Sequence, residues 1–171
     1  MCSSDLFQLW VNLAAKDKMM KPRYQEIKAD TIPEVPRADG VRVKVIAGTY
    51  EGTAGPINGI GVDPTYLDVA IPAGGVFQHA VPEGYNAFVY VFDGSSVTVG
   101  EGDRARPVSR GSIAVLGAGD SVRLAAPTAA ARALLIAGRP LNEPVVKYGP
   151  FVMNTREQIF EAIEDFQSGR F

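Results

Sequence analysis

The chain reads as an all-β protein that closes on a single C-terminal helix, and three observations carry that reading. Apolar and polar residues alternate with a period of two in segments such as VRVKVIA, Val41 to Ala47. Pro and Gly punctuate the ends of these segments, as in Pro72-Ala73-Gly74-Gly75 and Pro82-Glu83-Gly84. The 18 Gly and 12 Pro among 171 residues suit many short strands joined by tight turns.

Length and composition bound the function. A chain of 171 residues, 46% hydrophobic and 21% charged, holds one well-formed domain with some extra. Net charge is −2 and the basic residues are dispersed, so the chain lacks the footprint of a direct nucleic-acid binder. A single Cys forms no internal disulfide and no apolar run reaches the ~18 residues of a membrane span. A soluble, reducing, cytoplasmic setting is the expectation.

Taken in order, Met1–Leu6 (MCSSDL) has neither a basic nor an apolar targeting region. It is similar to the conceptual translation of a short-read sequencing adapter and is expected to be a non-native leader; the alternative is a disordered native terminus. Phe7–Leu13 (FQLWVNL) alternates like a half-buried strand and needs a partner. The stretch that follows, with Lys16, Lys18, Lys21 and Lys28 and with Pro22, Pro33 and Pro36, has the composition of a surface linker. Val41, Val43 and Val45 then mark one face of a strand whose other face carries Arg42 and Lys44. The tract Gly48–Gly61 lacks the flanking strand and helix of a dinucleotide site and the Lys-Ser/Thr of a phosphate loop, which makes it a plain loop rather than a phosphate cradle.

Tyr66 to Gly100 is expected to be a meander of three or four antiparallel strands, with Asp93-Gly94 as a hairpin turn. In Ala87–Phe92 both faces are apolar, so both should be covered. The aromatic face Phe88, Tyr90 and Phe92 is packing or, as the second reading, a partner surface. Glu101, Asp103, Arg104 and Arg106 form a charged tip, and Ile113–Leu116, Ser121–Leu124 and Ala133–Ala137 supply three further strands. Asp120 is expected to accept local backbone N–H groups. Asn154 or Thr155 caps the helix, whose apolar face is Ile159, Ala162, Ile163 and Phe166 and whose stop is Gly169.

PAG, an apolar strand, Gly94 and the later LGAGD resemble the two motifs of a cupin barrel, which implies a jelly-roll (RmlC-like) fold. The ligand positions of that pattern are altered here. The Glu position falls on Ala87, the two His positions of the first motif near Ala80 or Val81 and Pro82 or Glu83, and the His position of the second motif on Val122, while Gly111 and Gly119 match. Ala and Val offer no lone pair to a metal. His79, the only His, is thus read as a polar side chain near the barrel mouth, with metal ligation as the weaker reading. Ala87, Val89, Val91 and Val122 are the expected barrel interior, and no catalytic, cofactor-binding or metal residue is assigned.

FQLWVNL, KMMKPRYQEI, LDVAIPAG, NAFVYV, LGAGD, AGRPLNEPV and EPVVKYGPFVMNT together resemble the pirin family from Phe7 to Phe171. Pirins are bicupins: the first barrel holds iron through three His and a Glu, and the second has lost its ligands. The resemblance implies a domain plan of residues 1–6 leader, 7–38 end of the first barrel and linker, 39–153 second barrel and 154–171 helix. It implies iron only in the N-terminal barrel, which would be this chain's partner in cis. The expected function is that of an iron-dependent, quercetin 2,3-dioxygenase-like oxidoreductase in the full-length form, with this chain alone inactive. The alternative is a non-catalytic module that presents a surface to a regulatory protein partner. Contact with nucleic acid or membrane is not expected.

Overall fold

The two-residue alternation seen in the sequence becomes a pair of antiparallel sheets. The computed structural model describes residues 6–58 and 61–170, so the expectation for the leader falls outside the described residues except at Leu6, which is exposed. Two compact units divide the chain: Arg23–Pro140, and the residues up to Pro22 together with those from Leu141 onward.

In the larger unit the strands are β1 (Glu34–Pro36), β2 (Arg42–Ala47), β3 (Thr49–Tyr50), β4 (Thr53–Ala54), β5 (Thr65–Ile71), β6 (Gly75–Ala80), β7 (Asn86–Asp93), β8 (Ser96–Val99), β9 (Arg106–Ser109), β10 (Ile113–Val115), β11 (Ser121–Ala126) and β12 (Ala131–Gly138). A six-stranded sheet runs β1-β2-β5-β12-β7-β10, a four-stranded sheet runs β6-β11-β8-β9, and β3 and β4 form a small hairpin. The core draws alternate residues from both large sheets. Val43, Val45, Leu67, Val69, Val89, Val91 and Leu135 come from the first, and Phe77, Val97, Val122 and Leu124 from the second. Removing these side chains from water, at roughly 25 cal/mol per Å² of apolar surface, is the main force that closes the two sheets on each other.

β12 lies between β5 and β7 and buries Leu134 and Ile136 as well as Ala133 and Leu135. A central strand covered on both faces reads as a continuous apolar run, which is what ARALLIAG is. The β7–β8 connection turns at Asp93-Gly94: the Gly94 N–H donates to Asp93 Oδ1 at 2.9 Å. Gly94 has φ +82°, and a Cβ there would sit 2.6 Å from the Ala130 carbonyl oxygen. Both the dihedral and the close approach exclude a side chain.

Three stretches depart from the sequence reading. Tyr66–Gly100, expected to be an antiparallel meander with a hairpin at Asp93-Gly94, is not one: β5 and β7 lie in the six-stranded sheet and β6 and β8 in the four-stranded sheet, so no two consecutive strands of the stretch pair. Turn residues permit a crossing from one sheet to the other as readily as a hairpin, and burying apolar faces between two sheets favours the crossing. The Pro-flanked EVP, placed in the linker, is strand β1, paired with β2 in the register Glu34↔Lys44 to Pro36↔Arg42. A strand containing Pro is tolerated because β1 is the sheet's edge. Phe7–Leu13, expected to be a strand, forms none. A strand is defined by a hydrogen-bonded ladder with a neighbour, and no such ladder reaches these residues among those described; alternation alone does not supply one.

The smaller unit contains β13 (Val146–Tyr148) and β14 (Phe151–Met153), paired as a separate two-stranded sheet, and α1 (Arg156–Gln167). Residues 141–153 therefore lie with this unit rather than with the sheets of the larger one. Thr155, not Asn154, is the N-cap. Its hydroxyl accepts from the Gln158 N–H at 3.2 Å, and the Gln158 side chain accepts from the Thr155 N–H at 3.1 Å, a complete capping box. Ile159 and Ala162 are buried, whereas Phe166, assigned to the buried face, is 65% exposed and meets Phe151 edge-on at 6.0 Å. No helix among the described residues is long and apolar enough to cross a membrane.

Candidate functional site

β6 and β11 set the geometry of the barrel interior. Phe77 and His79, two residues apart on β6, share a face. The ladder places Leu124 opposite Phe77 and Val122 opposite His79. Phe77 is fully buried, and His79 is half-buried with its ring 5.6 Å from Tyr50 and 6.2 Å from Phe77. Burial pushes the His79 pKa below its ordinary value, because little around it compensates a charged imidazole.

Tyr50, from the short hairpin strand β3, is itself buried. Its hydroxyl accepts from Arg37 Nη1 at 3.4 Å, and Arg37 is in turn fixed by Asp39 at 2.9 Å. Burial raises the Tyr50 pKa, with the Arg37 hydrogen bond opposing that shift. Neither Tyr50 nor Arg37 was singled out from the sequence. The available signal was a lone aromatic residue inside a Gly-rich tract, which has no water-facing reason to be there.

The four interior candidates are buried side chains of the core: Ala87, Val89 and Val91 on β7, and Val122 on β11. Phe88, Tyr90 and Phe92 on the opposite face of β7 are half-buried. Phe92 also carries the Arg132 guanidinium 4.9 Å above its ring, and Arg132 bonds Asp68 at 2.6 Å. Ala80 and Glu83 are exposed, and Val81 is buried. Asp120 differs from expectation: its carboxylate accepts from the Ser121 hydroxyl, while its backbone carbonyl accepts from the Val81 N–H.

The residues present do not fit a divalent transition metal. Three or more convergent N, O or S donors are needed, and the described residues contain no cluster of three His, Cys, Asp or Glu. The buried positions that a cupin would use for donors carry methyl groups at Ala87 and Val122. What remains is one imidazole with an aromatic setting, able to make a hydrogen bond but not to anchor an ion.

The smaller unit has its own feature, an apolar groove of about 560 Å³ lined by Trp10, Val11, Leu13, Met19, Phe151 and Met153 among others. Polar bonds fix its frame. Lys18 Nζ donates to Asn12 Oδ1 at 2.6 Å and to the Val152 carbonyl at 2.9 Å. Glu143 Oε2 accepts from the Ala15 N–H at 2.8 Å and from Asn154 Nδ2 at 3.0 Å. Desolvation lowers the Lys18 pKa, and the charge of Glu143 partly restores it.

Residues 66–171 match the family described as the pirin C-terminal cupin domain. The chain belongs to the pirin family. It is 52% identical over 166 residues to a pirin-like protein of Caulobacter vibrioides, covering 96% of this chain and 58% of that one. It is 41% identical to human pirin, covering 95% of this chain and 56% of pirin. Among solved structures, a quercetin 2,3-dioxygenase from Acinetobacter baumannii superposes with a TM-score of 0.83 at 35% identity, over 95% of this chain and 55% of that one. The chain thus spans little more than half the length of the relatives it matches, and its fold is the RmlC-like cupin barrel with a C-terminal helix.

Proposed function

We propose that this chain is the second cupin of a two-barrel pirin whose complete form is an iron-dependent, quercetin 2,3-dioxygenase-like oxidoreductase of the cytoplasm. In this reading the barrel is metal-free and structural, and iron belongs to an N-terminal barrel that joins it in cis. The observation that carries the proposal is the pairing of a 0.83 superposition on a quercetin 2,3-dioxygenase with coverage of only 55% of that chain. Its support within the chain is the apolar lining at Ala87 and Val122, where a metal-holding cupin needs donors. Iron in such a centre supplies the chemistry of binding and orienting substrate and dioxygen; the residues here serve packing.

The second reading is a non-catalytic module that presents a surface to a regulatory protein, favoured by the exposed apolar groove beside Trp10 and Met19. A complete two-barrel chain decides between them. Iron content and flavonol oxidation appearing together support the enzyme. Iron without any quercetin oxidation supports the regulatory module.

A further inference from the structure

A second pocket of about 540 Å³ opens at one end of the larger unit, between the loops spanning residues 83–86 and 116–120. That volume lies within the range of small-molecule sites. Both walls are held in place at their roots. The Val81 N–H donates to the Asp120 carbonyl at 2.8 Å, and the Leu116 N–H donates to the Ala87 carbonyl at 2.9 Å. The first loop is closed as a turn by the Tyr85 N–H on the Pro82 carbonyl at 3.1 Å. The Tyr85 ring and Leu116 pack partly against the core, which anchors each wall to the barrel. These bonds fix the roots of both loops and so reduce the ordering that binding requires.

Its lining has a distinct chemistry. Glu83, Asp120 and Asn86 offer acceptor oxygens, and no Lys, Arg or His takes part. The Tyr85 hydroxyl has no hydrogen-bond partner among the described residues, and the N–H groups from Gly117 to Asp120 are not spent on backbone hydrogen bonds there. Gly117 and Gly119 are needed neither for a left-handed backbone nor for close packing: a Cβ at either would meet open space. Their lack of side chains leaves room in the pocket and bare N–H groups along its wall.

We propose that this pocket binds an uncharged, hydroxyl-rich ring compound of the saccharide type. A hydroxyl both donates and accepts, so one ligand can serve the Asp120 and Asn86 oxygens together with the Tyr85 hydroxyl and the loop N–H groups, while its ring lies against Tyr85. The two carboxylates repel an anion and attract a cation only weakly and to a similar degree, because both side chains are exposed and screened by water, so hydrogen bonding rather than charge selects the ligand.

Titration of the ¹⁵N-labelled chain with glucose, glucosamine and glucuronate presents one ring in neutral, cationic and anionic form. The expected result is saturable shifts at the Asn86 and Gly117 to Gly119 amides with glucose, and binding of glucuronate weaker by about threefold or more. Tyr85→Phe should weaken glucose about fivefold, the effect of one hydrogen bond. Gly119→Val should remove binding with an unchanged thermal midpoint, since the added side chain meets only the pocket. Absence of saturable shifts with glucose, tighter binding of glucuronate, glucosamine binding tighter than glucose by well over about threefold, or a glucose response untouched by both substitutions would overturn the proposal.

Discussion

Val122 faces His79 directly across the antiparallel ladder of β6 and β11. One imidazole therefore looks at an isopropyl group, and of its aromatic neighbours Phe77 has no donor atom while the Tyr50 hydroxyl is engaged by Arg37. A single neutral His without convergent partners holds iron weakly. Elemental analysis of the purified chain is expected to find no stoichiometric iron, and the chain is expected not to oxidise quercetin. His79→Ala should alter neither result. One iron per chain, lost in His79→Ala, would make His79 a ligand.

The same residue predicts a pH dependence. Burial lowers the folded-state pKa of His79 from its ordinary 6.5. Below 6.5 the unfolded chain takes up this proton more readily than the folded one, so stability is full above that pH and falls as pH drops through the folded value. The difference in thermal midpoint between the wild type and His79→Asn should change between pH 7.5 and pH 5, with the wild type losing more. Parallel midpoints over that range would show that His79 is not the titrating group.

Much of this was legible in the residues themselves. The Val41, Val43 and Val45 face and the left-handed backbone at Gly94 follow from period and turn chemistry, and β7 buries Ala87, Val89 and Val91 while covering Phe88, Tyr90 and Phe92 only in part. The sorting of β5, β6, β7 and β8 into two sheets was not legible, nor were three other features. Phe7–Leu13 has a strand's alternation, but pairing is a property of a neighbour and not of the segment. The Arg37–Tyr50–His79 grouping joins three residues far apart in sequence, and only the register of the sheets and the β3–β4 hairpin brings them together. The pocket between residues 83–86 and 116–120 is legible only through the loop-root hydrogen bonds, which no local pattern encodes.

Phe77 is the largest fully buried side chain among the described residues; it stacks with His79 and meets Tyr50 at a tilt. Phe77→Ala should cost about 3–5 kcal/mol, since the rigid sheets on either side cannot close over the missing ring. Urea unfolding followed by tryptophan-independent far-UV signal measures it. A loss below about 1 kcal/mol would mean that the interior collapses more readily than two packed sheets allow.

The helix cap is a local test of the smaller unit. Thr155→Ala removes the acceptor of the Gln158 N–H and should destabilise α1 by about 1 kcal/mol, while Thr155→Ser keeps the box. Faster amide exchange confined to Ile159 through Ile163 in Thr155→Ala is the expected outcome. Unchanged exchange would show that packing at Ile159 and Ala162 holds the helix without its cap.

Exposed apolar side chains predict how the purified chain behaves at high concentration. Trp10 is 69% exposed and Phe160 72%, and Leu9, Val11 and Met19 are also exposed. Val11, Trp10 and Met19 line the groove of the smaller unit, so several of these side chains form one face rather than isolated points. Covering that face removes apolar surface from water at roughly 25 cal/mol per Å², enough for a weak association. Sedimentation velocity should show concentration-dependent association. Leu9→Lys with Val11→Lys should relieve it by placing one charge in the groove at Val11 and a second at the exposed Leu9, without touching the core of the larger unit. A wild-type chain that sediments as one monomeric species across the concentration series, or an association indifferent to the double substitution, would assign the contact to another surface.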